Sequence, residues 1–281
     1  MRTTGATAGG SGARRPAPHD ARLGALIAVL VSALLTGCTA TGDPGPGPGA
    51  SPGASPATES AAASASAATL TSGALTLTLQ ADRPTITPQP DGSVQASIPL
   101  PADLPADAAQ LIAPPGTTFD VQLDGSVVVR DTAGAFAGGL ASPTATTDDG
   151  TLVRARFEAA GTQGLRAVVS RALVGSTERT SGTATVWLGT TLVTSATWGE
   201  REGGRSLAVD PTPWARAGGL AAQDATWAAV VALAPDADTN AMHDQFLCHA
   251  LGAADKATWN LEPWRPDVGS MATLMARCNP T

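Results

Sequence analysis

The sequence predicts an α+β protein: an N-terminal all-β domain, sandwich or roll, over residues 70–183, followed by a small disulfide-closed α+β domain over residues 184–281. Three observations carry that prediction. Alternating apolar and polar residues punctuated by Asp-Gly pairs dominate the first span, all six tryptophans fall at or after Trp187, and apolar residues beyond it recur at helical spacing. Period two marks half-buried strands and period 3.6 marks amphipathic helices, so the fold class changes along the chain.

In the β span, Leu75, Leu77 and Leu79 alternate with Thr76, Thr78 and Gln80, the pattern of a strand with one buried face. Turn signals recur at Asp91-Gly92, Asp124-Gly125 and Asp149-Gly150. Asp-Gly between alternating runs predicts hairpins, with positive φ at both central residues of each tight turn. Spacings of 33 and 25 residues are too unequal for a solenoid. No long helix is expected in this domain.

In the second span, strands are expected over residues 184–188, 192–198 and 206–209, the last two joined across 200–205 with Gly203-Gly204 at the turn. Three helices follow. The first, 224–234, sets Trp227, Val230, Val231 and Ala234 at helical spacing and stops at Pro235. A second starts from Thr239 or Asp238 as N-cap, with Met242, Phe246 and His249 on one side. The third runs over 270–277.

Ahead of these domains the chain carries an address. Arg2, Arg14, Arg15 and Arg22 precede an apolar run of 13 residues, 23–35, which ends in Leu35-Thr36-Gly37-Cys38. That is the order of an export signal, and the run falls short of the roughly 20 residues that span a bilayer. Small residues before a lone cysteine are what a lipoprotein signal peptidase needs. Residues 1–37 therefore read as a lipoprotein signal peptide and Cys38 as the acylated, palmitate-type anchor of the mature protein. The expected location is the extracytoplasmic face of the cell membrane. Residues 38–69 are almost all Ala, Gly, Pro, Ser and Thr; they bury too little apolar surface to order themselves and read as a disordered tether.

Setting Cys38 aside leaves Cys248 and Cys278, an even pair in an oxidising compartment, and a disulfide between them is expected. The whole chain has 17 basic and 24 acidic residues; without four arginines and Asp20 of the signal it has 13 against 23. Such an acidic balance argues against nucleic acid as a partner.

Two resemblances extend this reading. The run APPGTTFDVQLDGSVVVRDTAGAFAGGLASPTA resembles a β module found ahead of varied C-terminal domains in secreted actinobacterial proteins, which implies a spacer or scaffold. The runs REGGRSLAVDPTPWAR, PDADTNAMHDQFLCHALGAADKATWNLEPWRPDVG and RCNP closely resemble the secreted bacterial family catalogued as domain of unknown function 2599, from about Trp187 to the end. That resemblance implies an extracytoplasmic module with Cys248 and Cys278 at the family's two cysteine positions. It supplies no catalytic residues.

Candidate chemistry gathers near the C-terminus in Gln245, His249, Asn260, Glu262, Arg265 and Asp267. His249 with Glu262 or Asp267 is the acid–base pair that an exported hydrolase or toxin-like enzyme would need. A binding surface is the other reading, formed by Trp264 and Arg265 with Trp259 and Glu262. Pro263 and Pro266 stiffen the backbone on either side of Trp264-Arg265, and rigid aromatic and arginine anchors are favoured at recognition hot spots. A purely structural arrangement would bury His249, stack Arg265 on Trp259 or Trp264 and pair it with Glu262.

No metal or cofactor site is expected. Asp236, Asp238 and Asn240 begin like a calcium loop, but Leu247 stands where the bidentate glutamate belongs and Ala241 where glycine belongs. His243 and His249, six apart, cannot share a helical face. No serine sits in a G-x-S-x-G elbow. The sequence leans away from an enzyme and toward a membrane-anchored binding or structural module, with a cell-wall or envelope protein as partner.

Overall fold

The computed structural model describes residues 66–103, 106–170 and 181–281. The export signal, Cys38 and the tether up to residue 65 lie outside the described residues. The protein is mostly β, with a large antiparallel sheet and few helices.

Twelve strands build the large sheet: β1 (Ser66–Ser72), β2 (Leu75–Ala81), β3 (Thr85–Pro88), β4 (Val94–Leu100), β5 (Ala106–Ile112), β6 (Thr118–Val121), β7 (Val127–Arg130), β8 (Phe136–Leu140), β9 (Thr144–Thr147), β10 (Leu152–Ala159), β11 (Gly164–Ser170) and β12 (Gly182–Gly189). The main path runs β1-β2-β5-β11-β10-β9-β12-β8-β7-β6, and β3-β4 joins it through β12. β10 links the two halves: Leu152 and Val153 pair with β9, while Arg154 to Ala159 pair with β11. Leu70, Leu77, Leu79, Leu111 and Leu165 from one half and Ile98, Val129, Leu140, Val186 and Leu188 from the other share one buried cluster.

Three sequence expectations change here. β1 begins at Ser66, so the last residues assigned to the tether, Ser66 to Thr69, pair with Ala81 to Thr78 of β2. A ladder uses the backbone, so small side chains do not prevent it. β12, expected to open the second domain at residue 184, pairs with β4, β8 and β9. The Asp-Gly turns also differ in class: Gly92, Gly125 and Gly150 have φ of 80°, 84° and 87°, whereas positive φ is not found at the preceding aspartates. Each loop spans one more residue than a tight turn, and only glycine needs the left-handed region.

Beyond β12, β13 (Val193–Arg201), β14 (Gly204–Pro211) and β15 (Trp259–Leu261) form a three-stranded antiparallel sheet. Its hairpin turns at Glu202 and Gly203, with φ of 53° and 83°, one residue earlier than the Gly203-Gly204 turn expected. The helices are α1 (Pro213–Ala217), α2 (Gly219–Leu233), α3 (Asn240–Gly252) and α4 (Ser270–Met275). Thr212 caps α1, its Oγ1 accepting from Ala215 N at 3.1 Å, and Thr239 caps α3, accepting from Met242 N at 3.3 Å. Leu207, Val209, Val230, Met242, Phe246, Trp259 and Leu261 are the core of this module. Among the described residues, no helix is long and apolar enough to cross a membrane.

The joint between the two parts was not legible in the sequence. Trp214 of α1 is fully buried among Ala215, Ala222, Phe136, Trp187 and Leu192. Its ring fits because Gly189 has no side chain: a Cβ there would lie 2.2 Å from Trp214 Cγ. The turn aspartates also reach across. Asp91 Oδ1 accepts from Ser93 N within its own turn, while Oδ2 accepts from Trp214 N at 3.1 Å. Asp124 repeats the device, taking Ser126 N on Oδ1 and Leu220 N on Oδ2 at 2.7 Å; Ser126 Oγ accepts from Ala221 N at 3.0 Å. Burial alone would raise both carboxyls, but these hydrogen bonds outweigh it and hold them below the usual carboxylate range. This also explains why α2 starts at Gly219 and not at residue 224. Its first free N–H groups are capped from the β part.

Candidate functional site

α3 carries Gln245, Cys248 and His249 on its buried side. Gln245 Nε2 donates to the Glu262 carbonyl at 3.0 Å, and Gln245 Oε1 accepts from Glu262 N at 2.9 Å. The side-chain amide thus extends β15 by one ladder-like pair and fixes where the following segment leaves the sheet. Cys248 bonds to Cys278, tying the end of the chain to the same helix.

His249 is buried, 4% exposed. Its Nε2 lies 3.2 Å from the Asn260 carbonyl oxygen; a carbonyl only accepts, so Nε2 carries the proton. Nδ1 then holds the lone pair, and it is buried without a hydrogen-bond partner among the described residues. The ring lies nearly parallel to Trp259, 11° between planes and 6.4 Å between centroids. Burial, and after it the charge of Lys256, push the imidazole down to about 4 against the opposing effect of the Asn260 carbonyl.

The pH dependence follows from that shift. Between about pH 6.5 and 4 the unfolded chain binds a proton on this imidazole that the folded protein does not, so stability falls as pH drops through the window. The slope is about 1.4 kcal/mol per pH unit at most. His249→Gln keeps an N–H for Asn260 and removes the titration. Urea unfolding at pH 7 and pH 4.5 is expected to show a larger loss of stability for wild type than for this variant; equal losses would refute the assignment.

Glu262 and Arg265 are both buried, each with 2% of its side chain exposed. Arg265 Nε donates to Glu262 Oε2, Nη2 to Glu202 Oε2 at 2.8 Å and Nη1 to the Pro280 carbonyl at 3.2 Å. The guanidinium also lies 4.5 Å from the centre of the Trp264 ring. Of the two stacking partners expected for Arg265, Trp264 is the one found. Trp259 is covered instead by Arg216, at 5.3 Å, whose guanidinium donates to the carbonyls of Ala254, Lys256 and Ala257 and so holds the loop that leads into β15.

The structure therefore brings Glu262, Arg265 and Trp264 together and leaves His249 apart from them. Among the described residues no hydrogen bond or ion pair joins His249 to Glu262 or Asp267; Glu262 is engaged by Arg265, and Asp267 is exposed. Glu202 belongs to the site but was not singled out in the sequence. Its role depends on a hairpin turn meeting Arg265 63 positions away. A cavity of 520 Å³ in the β part, bordered by Arg83, Asp107 and Arg166, involves none of the sequence candidates.

Fold and site together define a mostly β protein whose C-terminal module is a three-stranded sheet packed on helices, closed by one disulfide and bearing a buried Glu262–Arg265 pair that the exposed Glu202 joins from the hairpin turn. Residues 193–281 match the family model described as Protein of unknown function (DUF2599). Uncharacterised proteins of Mycobacterium tuberculosis and Mycobacterium bovis are each 42% identical over 97 residues, covering 32% of this chain and 66% of theirs. One from Mycobacterium leprae is 41% identical over 81 residues, 27% of this chain and 60% of its own. The chain thus spans just under two thirds of the length of these curated relatives. No solved structure matches.

Proposed function

We propose that this protein is an envelope lipoprotein, held outside the cytoplasm by an acylated Cys38, whose C-terminal α+β module binds a wall or envelope component and does not catalyse. In this reading the β part is a sandwich-like spacer that presents the module. Trp264 carries the proposal: it is 45% exposed, yet its ring rests against Gly204 on one side and on the buried Arg265 guanidinium. An aromatic side chain pre-positioned in this way loses little conformational entropy on binding. The enclosed His249 supports binding over acid–base work, because its Nδ1 is buried and its Nε2 is held by the Asn260 backbone carbonyl.

Fractionation of cells producing wild type, Cys38→Ser and Trp264→Ala tests both halves. Cys38→Ser is expected to leave the membrane fraction. Trp264→Ala is expected to stay there with near-normal thermal stability but lose about 30-fold or more in retention on isolated cell wall, the effect of a hot spot worth about 2 kcal/mol. Unchanged retention would end the contact proposal, and unchanged membrane association of Cys38→Ser would end the anchoring one.

A further inference from the structure

The three-stranded sheet has a second face. Leu207, Val209, Trp259 and Leu261 point into the core, so alternation turns Ser206, Ala208 and Asn260 the other way, beside Thr197 and Gly199 of β13. These five floor a groove of about 280 Å³, with Glu200 and Arg201 at its rim. That volume lies just below the usual range of ligand pockets, about 300–1,000 Å³. Gly199 leaves the floor open, since a Cβ there would meet nothing within 4 Å.

Ser206 is the anomaly. It is 4% exposed, it lines the groove, and its Oγ has no hydrogen-bond partner among the described residues. A buried hydroxyl without a partner calls for an explanation, because such groups are ordinarily satisfied. As it stands the Oγ is shielded; one step about χ1 re-aims a serine hydroxyl, and in that rotamer a ligand seated above supplies what the fold does not. Gly204 lies two positions along the same strand, on the same face, and it is there that the Trp264 ring packs.

We infer that this groove binds a neutral saccharide. The polar groups on its floor, Thr197, Ser206 and Asn260, are uncharged, and each both donates and accepts. They match ring hydroxyls, which do the same. An ionic ligand would find no counter-charge on the floor; at the rim Arg201 is paired with Glu202 at 3.8 Å, and Glu200 stands opposite Arg205 in the hairpin. A wholly apolar ligand would leave Ser206 unsatisfied. Trp264, packed on Gly204 two positions along the strand from Ser206, leaves 45% of its surface exposed, and that remaining apolar part can meet the C–H groups of a sugar ring. The inference rests on the reading of Trp264 as part of a contact surface and names the ligand class for it.

The test is an amide-shift titration of the full chain with triacetylchitotriose and with maltotriose. Saturable shifts are expected at Thr197, Gly199, Ser206, Ala208 and Asn260 for at least one sugar. Gly199→Leu fills the open floor and is expected to abolish them. Ser206→Ala is expected to weaken binding about tenfold while leaving thermal stability equal or higher, a combination that a structural role for the hydroxyl would not produce. No saturable shift up to about 10 mM sugar, the range of very weak binding, or shifts that survive Gly199→Leu, would overturn the proposal. Wall retention lost in Trp264→Ala but intact in Gly199→Leu would sink the groove and spare the Trp264 surface. Saturable groove binding with wall retention unaffected by Trp264→Ala would do the reverse.

Discussion

Arg265→Met will lower the stability of the protein by about 3–5 kcal/mol, the cost of leaving one member of a buried ion pair alone. Glu262 has 2% of its side chain exposed and its carboxylate is engaged by Arg265, so the substitution strands a negative charge that water cannot reach. It also frees the Pro280 carbonyl. Glu262→Gln combined with Arg265→Met is expected to recover much of the loss, because neither partner is then a buried, unpaired ion. Glu202→Gln should cost less than about 1 kcal/mol, since the Glu202 side chain is 54% exposed and solvent screens its pairing with Arg265. Urea unfolding of the three variants measures this ranking. A single Arg265→Met variant as stable as wild type would show that Glu262 has another way to be solvated.

Reduction of the Cys248–Cys278 bond will have the next largest effect. The bond joins residues 30 apart, and loop-closure entropy for a span of that length is worth about 3.6 kcal/mol. At about 2–4 °C per kcal/mol for a chain of this size, calorimetry with and without reductant should differ by about 7–14 °C in Tm. The disulfide and the ion pair are coupled, because Cys278 and the Pro280 carbonyl that Arg265 grips lie two residues apart. Reduction in the Arg265→Met background should therefore cost less than in wild type. A full additive loss would mean that the chain end is held independently by each.

Local features were legible in the sequence, and features built from distant partners were not. Leu75, Leu77 and Leu79 are buried as their alternation requires, Thr239 caps α3, and the cysteine pair is bonded. The Asp-Gly loops were recognisable because a glycine in the left-handed region leaves a local signature. That Asp91 and Asp124 each spend their second carboxylate oxygen on a helix was not, since those helices lie 123 and 96 residues further on. For the same reason the start of α2 was misplaced and α1 was missed altogether. In the site, Glu262 and Arg265, three residues apart, were paired from the sequence; Glu202 and Pro280 required the folded chain. Ser206 looked like an ordinary strand serine. Only its burial on the face away from the core, with no partner, sets it apart.

The Trp214 slot has a mechanical consequence. A pull on the C-terminal module is borne by an indole ring seated against Gly189 and by N–H bonds from Trp214, Leu220 and Ala221 to two separate turns of the β part. These contacts share load in parallel instead of passing it through the single backbone crossing between β12 and β13. They give the protein a stiff elbow. The heading of Trp264 relative to β1, where the described chain begins, is set by the shape of the elbow, so the protein behaves as a bracket holding that side chain at a fixed angle.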